Sequence, residues 1–488
     1  MKRSSGILLP VFSLSGDYGI GTMGKQACDF VDFLHEAGQS WWQILPMGPT
    51  GGGNSPYTSV STFAGNPWMI DPVLLAEDGL LSPEQLKAAQ LPVSHTIDYG
   101  ALSQSREALL RQAFAVGGKR DQKAVQKFTD SHHWVRNYAL YMACKSHFDQ
   151  TAWLDWPSDI RDRTPQALEN YQSALAVDME FHCYVQYLFF TQWAKLKAYA
   201  NAKGVKIIGD LPIYVSLDSA DVWGERKEFL LDTTGHPTLV SGVPPDYFCE
   251  DGQLWGNPLY DWNRQKADGF GWWIRRIEGM QALCDSVRID HFRGLDEYWA
   301  VPASSTTAKD GAWHKGPAMD LLGVLTSWFP TVDYIAEDLG VLTDGVHSLR
   351  ETSGLPGMRV LEFAFSDPTN LYLPHNYPPH CICYTGTHDN NTLQGWWDEA
   401  TEAEKAFTLA YTGVAEDAVP QAVLRRGLGS VAQVFIAQLQ DYLGMGSDAR
   451  INVPGVAEGN WAWRLMDGDI PTTLAKELHD LTGLYSRL

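Results

Sequence analysis

Apolar positions recur at helical spacing through "KQACDFVDFLHEAG": Ala27, Phe30, Val31, Leu34 and Ala37 share one face, and Gly38 supplies the stop. The spacing predicts an amphipathic helix, and the run "WWQILP" after it predicts a short strand. From 75 to 179 the pattern changes. "LKAAQ", "EALLRQAFAV" and "WVRNYALYMACKSHF" predict helices, with few strand candidates, so 75–179 is expected to be a helical insertion. It separates residues 1–74 from the remainder, 180–488. The helical stretch "FHCYVQYLFFTQWAKLKAYANAKG" then leads into "VKIIGD", the first of several short apolar runs. The others are "SVRID", "DYIAED", "MRVLEFAF" and "CICYTGTHDN".

Nearly continuous apolar strands alternating with helices predict a parallel sheet covered on both faces. Several of these strands are expected to end in a carboxylate: Asp210, Asp290, Glu337 with Asp338, and Asp389. If the strands close into a barrel, their C-terminal ends face one mouth, and these acids converge there. The segment 216–271 is rich in Gly, Pro and aromatic residues and too long for a plain connection, which marks it as functional.

Composition narrows the chemistry. The 488 residues are 44% hydrophobic and 19% charged, with net charge -21. No Lys/Arg-rich run is present, which argues against nucleic acid or an anionic membrane as partner and fits a neutral substrate. No apolar run approaches the ~18 residues of a membrane span. The apolar run near the start is broken by Pro10 and is shorter than a secretory signal requires, so the cytoplasm is the expected location. Seven scattered cysteines are read as reduced thiols.

Three motif readings fall away. "GIGTMG" matches a dinucleotide fingerprint, but the next strand ends "ILPM", without the acidic residue that holds the ribose, so a packed glycine-rich rim loop is expected. There is no HExxH and no His-x-His, so neither a metal nor another cofactor is expected. No G-x-S-x-G elbow is present.

Each highlighted residue has a bland reading. Asp210 could cap a turn, Arg288 and Asp290 could form a structural ion pair, Glu337 and Asp338 could be solvated, and His388 and Asp389 could belong to a turn. All must hold at once to remove a site. Carboxylates gathered in an aromatic-rich cleft suit glycoside chemistry, in which one carboxylate attacks C1 and one carboxylic acid protonates the leaving oxygen. The acid needs a raised pKa. Arg288, two residues before Asp290 and on the same strand face, would favour an ionised Asp290. "PPDYFCEDGQLWGNP" adds Tyr247, Phe248, Gln253 and Trp255, apolar faces and amide groups suited to a sugar.

With "GDYGIGTMG", "WWQILPMGPT", "NSPYTSVSTFAGNP", "IIGDLPIYV", "PPDYFCEDGQLWGNPLYDW", "VRIDHFRG", "IAEDLG", "GMRVLEFAF", "THDNNT" and "GNWAWR" set side by side, the sequence resembles the amylomaltases (4-alpha-glucanotransferases, disproportionating enzymes), relatives of the α-amylase superfamily. The resemblance spans essentially the whole chain. It implies an α/β fold, a (β/α)8 TIM barrel with a large helical insertion and long β→α loop subdomains, 216–271 covering the cleft. It implies a retaining transfer of α-1,4-glucan segments between maltooligosaccharides, with glucose as product or acceptor and no cofactor. An α-1,4-glucan hydrolase with the same carboxylates is the alternative.

By the same resemblance Asp290 is the nucleophile, Arg288 its electrostatic partner and Glu337 the general acid/base. Asp389 grips the ring hydroxyls, with His388 beside it. Tyr57 and Asp210 contact the donor sugar and Asn460 lines the same pocket, Gln253 and Trp255 belong to the covering loop, and His291 lies toward the acceptor. Where some relatives carry an aromatic residue before "SPY", this chain has Gly51, Gly52 and Gly53.

Overall fold

The computed structural model describes residues 1–245, 250–340 and 342–488. Among the described residues, twelve strands form two sheets. In chain order they are β1 (Ser4–Leu8), β2 (Trp41–Gln43), β3 (Lys206–Leu211), β4 (Leu239–Val243), β5 (Gln253–Pro258), β6 (Ser286–Ile289), β7 (Glu297–Pro302), β8 (Ala312–Lys315), β9 (Asp333–Ala336), β10 (Gly357–Val360), β11 (Cys381–Tyr384) and β12 (Val434–Gln438). Eight close into a parallel barrel in the order β1-β12-β11-β10-β9-β6-β3-β2. Strands β6, β10, β11 and β12 are buried along their whole length, as strands covered on both faces must be.

Six barrel strands coincide to within a residue with runs that the sequence pattern picks out; β1 and β12, which seal the ring by pairing Ser4 with Val434 through Leu8 with Gln438, do not. "MRVLEFAF" is strand only through Val360, and Leu361–Phe363 turns into a 3₁₀ helix. The expected helix is Lys25–Glu36, burying Ala27, Phe30, Val31 and Leu34. "GIGTMG" leads into it, and its Gly24 lies against a carboxylate: a Cβ there would stand 2.1 Å from Asp71 Oδ2. Backbone that close to an acid leaves no room for a phosphate.

The chain leaves the barrel after β2 and returns at β3. The regular elements between are all helical, ending in the 27-residue helix Ala176–Ala202, which packs on the helix Val135–His147. The 216–271 stretch is more regular than its composition predicts. It contributes β4 and β5 to a four-stranded antiparallel sheet ordered β5-β4-β7-β8, whose other half comes from the connection after β6. No helix among the described residues is long and apolar enough to cross a membrane. The six described cysteines are free thiols.

Candidate active site

The barrel register assembles the floor of the mouth. β3 pairs with β6 so that Asp210 stands opposite Arg288. Arg288 Nη1 lies 2.7 Å from both carboxylate oxygens of Asp210 and 3.0 Å from Asp290 Oδ1. The Asp210 side chain is closed to solvent, and its Oδ2 also accepts the Tyr57 hydroxyl at 2.7 Å. Burial works against the guanidinium charge, but Asp210 and Asp290 beside it hold Arg288 firmly protonated. For Tyr57, burial and the Asp210 charge push the phenol well above its usual range.

β6 pairs in turn with β9, Ile289 opposite Ala336, so the next residues, Asp290 and Glu337, leave neighbouring strands side by side. His291 adopts the left-handed conformation (φ 50°), and its N–H donates to Glu337 Oε2 at 2.7 Å; Leu339 N donates to Oε1 at 3.1 Å. A left-handed non-glycine residue at a strand end is the kind of strain that gathers at functional sites.

Burial raises the pKa of both carboxyls. Glu337 is pushed up to about 8, burial first, against Arg288 and with the Asp290 charge adding to it. Asp290 is pushed up to about 7 by burial, opposed by Arg288, with Asp210 and Asp389 acting upward. The two therefore give up protons as a pair. Asp290 has Arg288 in contact, and its side chain is 27% exposed, so the first proton to leave is its own and the second stays on Glu337.

Asp389 reaches the same mouth from a loop. It is the fifth residue beyond Tyr384, the end of β11, and not at a strand end as the sequence suggests. Its side chain is 46% exposed, lies 3.4 Å from His388 Nε2 and accepts Asn452 Nδ2 at 2.6 Å. Arg450 Nη2 donates to its carbonyl at 2.6 Å. Tyr57 stacks on His388 with ring centroids 5.1 Å apart, and Trp461 lies 5.8 Å from each of those rings. Burial lowers the pKa of His388 despite Asp389 beside it, which favours the neutral ring.

On the other side, the four-stranded sheet meets the strand ends. Trp255 is 38% exposed and packs edge-on against His291 at 4.8 Å, its Nε1 donating to Gln253 Oε1 at 3.1 Å. Burial holds His291 down to about 4, so its ring is neutral. Tyr247 and Phe248 lie outside the described residues.

Asn460 is used up by its own loop: Oδ1 accepts Val453 N, and Nδ2 donates to the carbonyls of Val453 and Val456. The side chains that brace this part of the site, Asn452, Arg450 and Trp461, are not singled out by the sequence reading. "RINVPG" is a run in which an Asn before Val-Pro looks like an ordinary turn residue.

The geometry is therefore one of acids on a parallel barrel mouth, one carboxylate in contact with an arginine and its neighbour held protonated. Residues 9–469 match the family model described as 4-alpha-glucanotransferase. The chain is 46% identical to the 4-alpha-glucanotransferase of Thermus thermophilus, with all of both sequences covered. It is 44% identical to that of Streptococcus pneumoniae, covering all of this chain and 98% of the relative. The amylomaltase of Streptococcus agalactiae, solved in complex with acarbose, superposes with a TM-score of 0.97 at 39% identity, both chains fully covered. A barrel mouth of this construction and full-length agreement with these relatives lead to one conclusion: the chain belongs to the 4-alpha-glucanotransferase (amylomaltase) family.

Proposed function

We propose that the cleft transfers α-1,4-glucan segments between maltooligosaccharides by two displacements at C1, with Asp290 as nucleophile and Glu337 as acid/base. In the first step an Asp290 oxygen bonds to C1 of the donor as the C1–O4 bond breaks, and Glu337 gives its proton to the departing O4. The leaving chain is glucose when the donor is cut at its last unit. In the second step the 4-hydroxyl of an acceptor chain gives its proton to Glu337, its oxygen bonds to C1, and Asp290 leaves. Configuration at C1 is inverted twice and so retained.

The observation that carries this reading is the β6–β9 register. It sets the residues after Ile289 and Ala336 next to each other, with Arg288 touching Asp290 and two backbone N–H groups on Glu337. The protonation order suits the first step: an ionised Asp290 and a protonated Glu337.

Asp389, turned toward the ring by His388 and Asn452, serves as the group that grips the ring hydroxyls more tightly as the oxocarbenium-like state forms. Asp210 acts from beneath through Arg288, and Tyr57 offers its ring at the floor. Trp255 and Gln253 on the covering sheet hold the acceptor and keep water out, which favours transfer over hydrolysis.

Maltotriose is the test. Transfer yields glucose together with a ladder of chains longer than the starting trisaccharide. Products shorter than maltotriose, with no longer chains at any time point, would overturn the transfer reading in favour of hydrolysis.

A further inference from the structure

The segment that presents His388 and Asp389 begins at Thr385, directly after β11, and ends at Leu393, where the helix Leu393–Glu399 starts. Its two ends converge on one buried carboxylate. Asp441 lies in the short helix Leu439–Leu443 that follows β12 and is 2% exposed. Its Oδ2 accepts Thr385 Oγ1 at 2.5 Å and its Oδ1 accepts Leu393 N at 2.7 Å. Gln438, fully buried, adds a tie by donating from Nε2 to Asn391 O at 2.7 Å.

Against the start of the segment lies Glu362, in the 3₁₀ turn after β10 and almost fully buried. Its backbone N–H donates to Thr385 O at 3.2 Å. Its carboxyl presses against Gly386: a Cβ there would stand 2.5 Å from Glu362 Oε1 and 2.9 Å from Gln438 Nε2. Only glycine fits between them.

Two acids sharing a dry interior cannot both ionise cheaply. Burial and the Asp441 charge keep Glu362 protonated, with Arg450 the cation facing it and Glu399 a further acid. Glu362 Oε1 and Gln438 Oε1 are both buried beside this segment without a hydrogen-bond partner among the described residues. Buried polar pairs of this kind add little to stability over apolar packing, and their attested value is to fix one arrangement. The arrangement fixed here is that of the loop carrying Asp389.

We propose that Asp441 and Glu362 are positioning residues for the transfer reaction, Asp441 stapling both ends of the 385–393 segment and Glu362 bracing its start, so that Asp389 meets the sugar ring in one orientation. This rests on the reading of Asp389 as the group that strengthens its grip in the transition state. Misalignment of such a group lowers kcat and leaves KM little changed.

The test measures kcat and KM on maltotriose for Asp441→Asn, Asp389→Asn and the double variant, together with thermal unfolding of each. An asparagine at 441 keeps an acceptor for only one of the two ties. Asp441→Asn is expected to lower kcat about 10- to 100-fold, with KM within about three-fold of the parent. In the Asp389→Asn background the same change should cost less than about three-fold, because the group it positions is already gone. An equal cost in both backgrounds overturns the proposal. An Asp389→Asn enzyme with parental kcat removes the Asp389 reading itself and the proposal with it. Should Asp441→Asn fail to fold, Thr385→Val keeps the side-chain shape and removes the tie to Asp441 together with the bond that the hydroxyl accepts from Gln438 N at 3.3 Å; parental kcat in that variant overturns the proposal as well. At the other acid, Glu362→Gln should lose far less kcat than Glu362→Leu, and equal losses would count against the pair.

Discussion

On the β6–β9 side of the mouth, Asp290 and Glu337 follow their strands by a single residue, and the ladder of the barrel positions them. On the β11–β12 side, Asp389 stands in a loop whose place is set by side chains, Asn452, Arg450 and the ties to Asp441 and Gln438. The first side draws its precision from backbone hydrogen bonds that every strand must make in any case. The second depends on a handful of buried polar contacts that can be removed one at a time. Substitutions should separate chemistry from folding differently on the two sides.

The largest expected effect is at Asp290. Asp290→Asn should lower glucose release from maltotriose by on the order of 10⁴-fold or more. Its thermal unfolding should stay close to that of the parent, because Asp210 still neutralises Arg288. A variant within ten-fold of the parent would remove Asp290 from the nucleophile role.

Next comes Glu337. Glu337→Gln should cost about 10²- to 10⁴-fold in kcat, and a glucosyl fluoride donor, whose leaving group needs no proton, should restore the first step. The parent's pH profile adds a second reading. The proposed acid role requires a protonated Glu337, so kcat/KM should fall as pH rises through about 8, and fall on the acid side as Asp290 takes up a proton. Stability follows with a definite sign. A carboxyl whose folded pKa lies above its unfolded value contributes stability that is complete below the unfolded value, near 4.5, and lost as pH rises through about 8. The glutamine variant does not titrate, so its Tm should gain on the parent's between pH 5 and pH 9. An unchanged difference would mean that Glu337 has no raised pKa.

The smallest effect on chemistry and the largest on folding should fall at the floor. Asp210→Asn leaves Arg288 without its main buried counter-charge, at a cost of about 3–5 kcal/mol in unfolding free energy. Asp389→Asn, at an exposed loop carboxylate, should leave denaturant midpoints nearly unchanged. Equal destabilisation by the two substitutions would erase the contrast between ladder-built and side-chain-built halves.

The same contrast explains what could be read from the sequence. Asp210, Arg288, Asp290 and Glu337 sit in or just beyond apolar runs, and in a parallel barrel that position alone directs them to one mouth. Asp389 follows its run as well, but the turn of Thr387 around Asn390 carries it away from the strand end, which no periodicity records. Asn452 and Trp461 meet Asp389 and His388 only because Arg450–Trp461 folds back across the rim, and Trp461 holds a left-handed backbone (φ 62°) that its residue type does not advertise. Asn460 stands in the more suggestive motif, yet its amide is consumed by Val453 and Val456. In the fold, β1 was hidden by its polar start and by Pro10, and β12 by the helices around it. The irregular composition of 216–271 concealed a sheet because half of that sheet, β7 and β8, comes from a distant part of the chain.

The pairing of β1 with β12 carries a consequence for biosynthesis. The ring needs a strand from near residue 4 and one from near residue 434. At ribosomal rates of about 5–20 residues per second, β1 waits some tens of seconds for its neighbour. Ile7 and Leu8, wholly buried at the end, meet the ribosome exit with one open hydrogen-bonding edge. A nascent chain stalled just before β12 would therefore hold seven of the eight barrel strands and leave two edges, on β1 and β11, open to any passing strand.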